Sequence, residues 1–166
     1  MIRKKTAQSG QAGEKSSPVN LATLYSARSQ HAIDGSNRIM LPSEWRGEGA
    51  PSRFFVMIVP PEDHLVVCPP PVFEKFLAEL RDETADKTHI PQIERELNDR
   101  VRQVSMDRFG RLPLPPDFLA RARIEKQGEL IGRFSKFEIW PCDKYQALQA
   151  ERKQASVELS KKLQHL

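Results

Sequence analysis

The stretch "DRFGRLPLPPDF" at residues 107–118 decides the fold, because the chain contains its pattern twice. Upstream, "DGSNRIMLPSEW" at residues 34–45 repeats the frame D-x-x-x-R-x-x-L-P at an offset of 73 residues. Further along, "LVVCP" (65–69) and "FEIWP" (137–141) align at an offset of 72 residues. A spacing that drifts by only one residue across half a chain indicates two tandem repeats.

Both repeats have the same predicted order of elements. The first begins with a strand at 24–33 and the turn "DGSN", because Gly and Asn accept the left-handed dihedrals of turns. Pro42 then suits the first turn of a short helix, and "RFFVMIVP" with "HLVVCP" predicts a hairpin. An amphipathic helix, "PPVFEKFLAEL", follows. The second repeat has the same order of elements and ends in a helix that starts at "DKYQALQ". This helix can continue through the C-terminal residues.

These elements predict five segments. They are a disordered basic tail at 1–20, a first repeat at 21–81, a linker with a short helix at 82–98, a second repeat at 99–150 and a C-terminal helical extension at 151–166. The tail is too polar to offset the entropy of ordering. The charged linker is predicted to be mobile to about Lys87, with its helix starting near Pro91.

The positive charge lies in the tail. The net charge of the chain is +4, and residues 1–30 alone contain five basic side chains against one acidic side chain. The other residues contain equal numbers of basic and acidic side chains. A nucleic-acid site in the folded body must therefore be a local patch, while the tail is expected to add salt-sensitive, non-specific affinity for DNA.

The composition gives no support to catalysis, a metal site or a cofactor. Two cysteines, Cys68 and Cys142, are too few for a disulfide framework or a CxxC zinc site, and they fit a reducing, cytoplasmic compartment. The four histidines are scattered without metal-binding spacing, and no G-x-S-x-G nucleophile elbow occurs. No stretch approaches the length of a membrane span, so we expect a non-enzymatic protein without cofactor or membrane contact.

The repeated Asp and Arg have two interpretations. In the first, the motif is only a hairpin turn in which Asp34 or Asp107 accepts backbone N–H groups and pairs with its Arg. In the second, the guanidinium groups project from a β-turn toward phosphates or guanine edges. Candidates for such surfaces are Arg28, Arg38 and Arg46 in the first repeat and Arg100, Arg102, Arg108 and Arg111 in the second.

The doubled motif, with each copy followed by a hairpin and a helix, resembles the MraZ family of bacterial transcription regulators, which belongs to the SpoVT-AbrB group. The resemblance covers about residues 24–148, and "DRFGRLPLP" and "KFEIWP" match it closely. It implies an α+β fold with a swapped-hairpin β-barrel built from both halves and flanking short helices. It also implies a ring-shaped homo-oligomer, associated with the nucleoid, that binds short direct repeats of double-stranded DNA in the promoter of a cell-division and cell-wall gene cluster.

The same resemblance places the main DNA contact at Arg38. Among the exposed arginines named above, Arg111, Arg28, Arg46 and Arg108 are the further candidate contacts, and the motif turns consist of Asp34, Gly35, Asn37, Asp107 and Gly110. This chain departs from the family at Ser36–Asn37, where Lys-Gly is usual, and at Ser26–Ala27, where Arg-Gly is common. A different class therefore stays open, namely a ring-forming scaffold for protein interactions with weakened or lost DNA binding.

The ring has its own predicted contacts. Phe109 in the second turn and the helix faces around Phe73, Phe76, Tyr145 and Leu148 exceed what one small barrel easily covers. We therefore expect some of these side chains to be buried between subunits.

Overall fold

The structure, a computed structural model, describes residues 24–61 and 63–166. The predicted tail at 1–20 and the first three residues of the predicted first repeat lie outside the described residues. The described chain forms eight strands and five α-helices, namely β1 (Arg28–Ala32), β2 (Arg38–Met40), β3 (Arg53–Ile58), β4 (Leu65–Cys68), α1 (Pro70–Glu83), α2 (Ile90–Asn98), β5 (Val101–Ser105), β6 (Arg111–Pro113), α3 (Pro116–Ala122), β7 (Gln127–Gly132), β8 (Phe137–Trp140), α4 (Cys142–Ala150) and α5 (Lys153–Leu163).

Six strands form one antiparallel sheet in the order β1-β7-β8-β4-β3-β5, and β2 pairs with β6 in a separate two-stranded ribbon. This order is symmetric between the two halves of the chain. If each strand is replaced by its equivalent in the other half (β1 by β5, β3 by β7 and β4 by β8), the same order results when read from the opposite edge. The first strand of each half pairs with the hairpin of the other half, since β1 lies against β7 and β5 lies against β3. Neither half therefore completes its part of the sheet alone.

The mixed α+β class is confirmed. Barrel closure stays a prediction, because the hydrogen-bond ladders of the described strands form an open six-stranded sheet with edges β1 and β5 and a separate ribbon. The ribbon packs across one face of the sheet, since Ile39 of β2 and Leu112 of β6 are fully buried in the same core as the sheet residues.

Strand alternation explains this core. Along β3, Phe54, Val56 and Ile58 are buried while Arg53 is exposed, as expected for a strand with one face on the core. Four aromatic side chains meet at its centre, where Tyr25 contacts Trp45, Phe54 and Phe137 with ring centroids 5.1–6.4 Å apart. Such edge-on and tilted contacts are the favourable arrangements of aromatic rings.

Helices α1 and α4 cover the other face of the sheet, and both begin at proline steps. Pro70 occupies the first turn of α1, where a missing N–H costs nothing. Phe73 of α1 stacks on Phe55 of β3 at 4.1 Å, and Tyr145 of α4 lies 6.2 Å from Trp140 of β8. Phe73 and Tyr145 are therefore buried within one chain, which removes them from the predicted subunit contacts.

The linker contains more helical structure than predicted, and its mobility stays a prediction. Helix α1 continues to Glu83, a 3-10 turn follows at Lys87–His89, and α2 begins at Ile90. Polar contacts lie along this segment, since Arg81 pairs with Glu94 at 2.8 Å and the Asp86 carboxylate accepts a hydrogen bond from the Thr88 amide. The pairing of Arg81 with Glu94 joins α1 to α2 across the segment.

The C-terminal residues form two helices instead of one continuous helix. Helix α4 ends at Ala150, and α5 begins only at Lys153. At the break, the Arg152 guanidinium donates to the Tyr145 hydroxyl at 3.0 Å and lies 5.1 Å from the centre of its ring. Arg152 is thereby held against the preceding helix, and α5 forms a separate element.

Candidate nucleic-acid interface

The ribbon of β2 and β6 brings the two copies of the motif together. Its register pairs Arg38 with Pro113, Ile39 with Leu112, and Met40 with Arg111. Because side chains alternate along a strand, the burial of the central pair places Arg38 and Arg111 on the opposite, outward face of the ribbon. The repeat therefore presents two arginines on one surface.

The first turn is closed by its own aspartate. The Asp34 carboxylate accepts hydrogen bonds from the backbone amides of Ser36 at 2.9 Å and Arg38 at 3.0 Å, and from Arg38 Nε at 2.9 Å. Asn37 adopts a left-handed conformation with φ of 57°. Asn tolerates this conformation better than most residues, so the turn forms without the usual glycine.

The second turn repeats this geometry. The Asp107 carboxylate accepts from the amides of Phe109 and Arg111, both at 2.9 Å, and from Arg111 Nε at 2.7 Å. Gly110 takes the left-handed position with φ of 85°. Each aspartate therefore closes its turn and also orients the arginine four residues later. The same geometry is compatible with a purely structural turn and with an arginine presented to DNA.

Contacts between the repeats tie the two turns to each other. Arg38 Nη1 lies 3.7 Å from the carboxylate of Asp107, in addition to its pairing with Asp34. The backbone is joined symmetrically, since the Leu41 amide donates to the Gly110 carbonyl at 3.0 Å and the Leu114 amide donates to the Asn37 carbonyl at 2.8 Å. The pairing of Arg38 with Asp107 was not predicted, because local spacing does not show which residues of β2 and β6 lie side by side.

The hydrogen bonds change the acidity of both aspartates. The amide of Arg38, followed by the amide of Ser36 and the Arg38 guanidinium, lowers the pKa of Asp34, and these bonds outweigh partial burial. Partial burial acts to raise the pKa of Asp107, but the bonds from Arg111 and Phe109 outweigh it and leave that pKa lowered as well. Both carboxylates are therefore ionised at neutral pH, where they pair with cations.

Arg46 packs against the second turn. Its Nε donates to the Leu41 carbonyl at 2.9 Å, and its Nη1 donates to the Phe109 carbonyl at 3.4 Å. A Cβ atom at Gly110 would lie 2.2 Å from Cδ of Arg46, so that flexible side chain would have to shift, and the left-handed backbone itself favours glycine. Arg46 thereby supports the loop that carries Phe109.

Phe109 stands at the tip of the second turn with 53% of its surface exposed. The guanidinium groups of Arg108 and Arg111 lie 4.6 Å and 4.9 Å from the centre of its ring, within the range of cation–π contacts. Phe109 was predicted from the sequence to be one of several side chains of which some lie between subunits. The D-R-F-G-R spacing, which surrounds one aromatic residue with two arginines, was the available signal for its place in the arginine cluster.

The structure does not bring Arg28 into this cluster. Arg28 begins β1, whose other end leads into the first turn, and it pairs with Glu129 of β7. Its guanidinium lies 4.5 Å from the centre of the Tyr145 ring. Arg102 is likewise engaged elsewhere, since it lies 3.8 Å from Asp117 and 5.1 Å from the centre of the Phe118 ring.

The clustered arginines suit a phosphate-bearing partner. Four guanidinium groups surround the turns, and two carboxylates neutralise only part of their charge; the members are Arg38, Arg46, Arg108, Arg111, Asp34 and Asp107. A guanidinium presents a planar fork of donors that matches phosphate oxygens and the edge of guanine. In the ranges 24–61 and 63–166, no group of three His, Cys, Asp or Glu side chains is arranged to hold a metal ion.

No helix formed by the described residues is long and apolar enough to cross a membrane.

Comparison with known proteins agrees with this arrangement. Residues 24–92 and 101–164 match the model of a family described as "MraZ protein, putative antitoxin-like". The transcriptional regulator MraZ of Chlorobium phaeobacteroides (strain BS1) is 31% identical over 130 residues, which cover 72% of this chain and 85% of that protein. MraZ of Pseudomonas aeruginosa (strain LESB58) is 27% identical over 120 residues, or 70% of this chain and 80% of that protein. MraZ of Alcanivorax borkumensis is 26% identical over 111 residues, or 65% and 76%. The family model spans both turns, both hairpins and the helices that follow them, and the chain therefore belongs to the MraZ family of transcriptional regulators.

Proposed function

We propose that the chain is a sequence-specific DNA-binding regulator, located in the cytoplasm and associated with the nucleoid. It binds short direct repeats in the promoter of a cell-division and cell-wall gene cluster as a ring-shaped homo-oligomer. The observation that carries the proposal is the outward face of the β2–β6 ribbon, which holds Arg38 and Arg111 against two ionised aspartates. The names of the related proteins as transcriptional regulators support the same conclusion.

The geometry supports recognition of the major groove. A two-stranded β-ribbon fits within that groove, and an arginine whose Nε is held by a carboxylate presents its remaining N–H groups in a fixed direction. Asp34 holds Arg38 in this way, and Asp107 holds Arg111. Less side-chain entropy is then lost when the guanidinium binds a base edge or a phosphate.

A single subunit offers few phosphate contacts, and each contact adds only about 0.9 to the slope of log K against log salt. Several linked subunits on successive DNA repeats raise the effective concentration and so compensate for this weakness.

The described surface retains apolar side chains for such an assembly, since Phe76 on α1 and Val157, Leu159 and Leu163 on α5 are 40–57% exposed. Light scattering of the full chain should detect the oligomer at micromolar concentration, and a monomer there would contradict the ring.

The test of DNA binding is electrophoretic mobility with the DNA upstream of the chain's own coding sequence. Arg38→Ala and Arg111→Ala should each reduce sequence discrimination by about 1–3 kcal/mol per bound subunit, the value of a good bidentate contact to a base. Arg81→Ala is the matched control, because Arg81 is an exposed arginine paired with Glu94 on the α1–α2 side of the molecule. Unchanged operator binding by both ribbon variants, with the oligomer intact, would contradict the proposed interface.

A second candidate is a scaffold for protein interactions. The first turn lacks a lysine, since Gly35 and Ser36 occupy its tip, and the apolar side chains of α5 are exposed. The same assay separates the two candidates. A stable ring without affinity for its upstream DNA would favour the scaffold, whereas footprints over repeated sites would favour the regulator.

A further inference from the structure

The two turns have the same backbone geometry but carry different side chains at their tips. In the first turn, Gly35 and Ser36 stand between the aspartate and the left-handed residue. In the second turn, Arg108 and Phe109 occupy those positions. Since hydrogen bonding to the aspartate is the same in both, closure of the turn does not require the aromatic ring.

The second turn holds Phe109 firmly although its ring is exposed. The Phe109 amide donates to Asp107 at 2.9 Å, and the Phe109 carbonyl accepts from Arg46 at 3.4 Å. The next residue, Gly110, is packed against the Arg46 side chain. An exposed aromatic ring on a fixed backbone loses little conformational entropy on binding, which suits it to insertion into a partner.

We propose that Phe109 inserts between adjacent bases of the DNA bound by the ribbon and partly unstacks them. This inference rests on the proposed DNA-binding function and adds a residue that senses how easily the DNA is deformed. Proteins that bend DNA from the minor groove use apolar side chains in this way, and here the ring enters the stack from the major groove that the ribbon occupies. Easily unstacked pyrimidine–purine steps favour such insertion. The first turn, with Ser36 at the equivalent position, makes no such insertion.

Charge favours DNA over a second copy of the chain as the partner of Phe109. Arg108 and Arg111 lie over its ring, and Arg38 reaches the same turn through Asp107. Three guanidinium groups at this turn favour an anionic partner, and the phosphates of DNA supply that charge. On DNA, the arginines move to flanking phosphates, and the ring exchanges cation contacts for contacts with bases.

The chain contains a matched control. Phe134, in the turn between β7 and β8, is 66% exposed and has φ of 62°. Its backbone is bonded to Tyr25, which belongs to neither Asp–Arg turn. Phe134→Ala therefore removes an equally exposed ring without changing the arginine cluster.

The experiment uses the full chain and duplexes of its own upstream DNA, with 2-aminopurine placed in turn at each adenine of the protected region. Binding of the unaltered protein should raise 2-aminopurine fluorescence at one step in each bound repeat. Phe109→Ala should abolish that rise and weaken binding about 5-fold to 100-fold, as for other aromatic residues that stack on bases. Phe109→Trp should retain the signal, and Phe134→Ala should leave signal and affinity unchanged.

Three results would overturn the inference. Binding by the unaltered protein without a fluorescence change at any position would show that no base is unstacked, although the proposed function would stand. If light scattering showed a smaller oligomer for Phe109→Ala, the Phe109 side chain would belong to a subunit interface. Absence of binding to the upstream DNA by the unaltered protein would remove the proposed function itself, and this inference with it.

Discussion

Replacing Gly110 by alanine should lower the free energy of unfolding for two reasons, namely backbone strain at residue 110 and displacement of the Arg46 side chain. Gly110 has φ of 85°, and a left-handed residue with a Cβ atom costs roughly 1–2 kcal/mol. The new Cβ would also lie 2.2 Å from Cδ of Arg46, so that side chain must shift, and we expect the shift to break its 2.9 Å hydrogen bond to the Leu41 carbonyl. That bond contributes about 1 kcal/mol. The total is about 2–3 kcal/mol.

For a chain of this length, such a loss corresponds to a fall in melting temperature on the order of 4–12 °C. Thermal and urea denaturation of Gly110→Ala, Arg46→Ala and the double variant form the assay. In the Arg46→Ala background only the backbone part should persist, which gives a coupling energy of about 1 kcal/mol. Asn37→Gly is the control, because it places glycine at the equivalent left-handed position and should be nearly neutral. Full additivity of the two substitutions would refute the proposed contact between Gly110 and Arg46.

Three further predictions concern the surroundings of the turns. Ala27→Gly should stabilise the fold by up to about 1 kcal/mol in urea denaturation, because Ala27 has φ of 72° and glycine adopts that conformation without strain. Tyr25→Phe should be neutral or stabilising by about 1 kcal/mol, since within the described part of the chain the Tyr25 hydroxyl is buried without a hydrogen-bond partner; a clear loss of stability would indicate an unrecognised bond. Because folding lowers the pKa values of Asp34 and Asp107, the stability that these carboxylates contribute should be complete at neutral pH. It should decline below about pH 4, so replacing both by Asn should flatten the acid limb of a plot of stability against pH.

Local patterns in the sequence predicted most of the individual elements. The prolines at 69–71 and 115–116 mark helix starts, and the β-branched and aromatic runs around residue 55 and residue 67 form the expected hairpin. The turn at Asp107 was predicted from its Asp, Gly and Arg, which supply the acceptor, the left-handed residue and the partner for the carboxylate. These features depend on neighbours within about five residues, so a single sequence contains the needed information.

Pairing between the halves could not be predicted in the same way. Arg28 lies opposite Ile131 in the register of β1 and β7, across more than a hundred residues of chain, and local spacing does not determine such a partner. The contact of Arg38 with Asp107 depends on the same kind of pairing, because only the register of β2 against β6 brings them close. The mobility predicted for the charged run up to Lys87 stays a prediction, although helix α1 continues into that run to Glu83.

The exchange of strands between the two halves has a consequence for how the protein can change over time. Two identical single-repeat chains that associated in this manner would carry any new side chain twice, once in each turn. Here one polypeptide supplies both turns, so Arg108 and Phe109 occur in only one of them while the other keeps Gly35 and Ser36. Because one polypeptide supplies both turns, each turn can carry its own side chains on a shared framework, and the pseudo-symmetric ribbon presents an asymmetric surface.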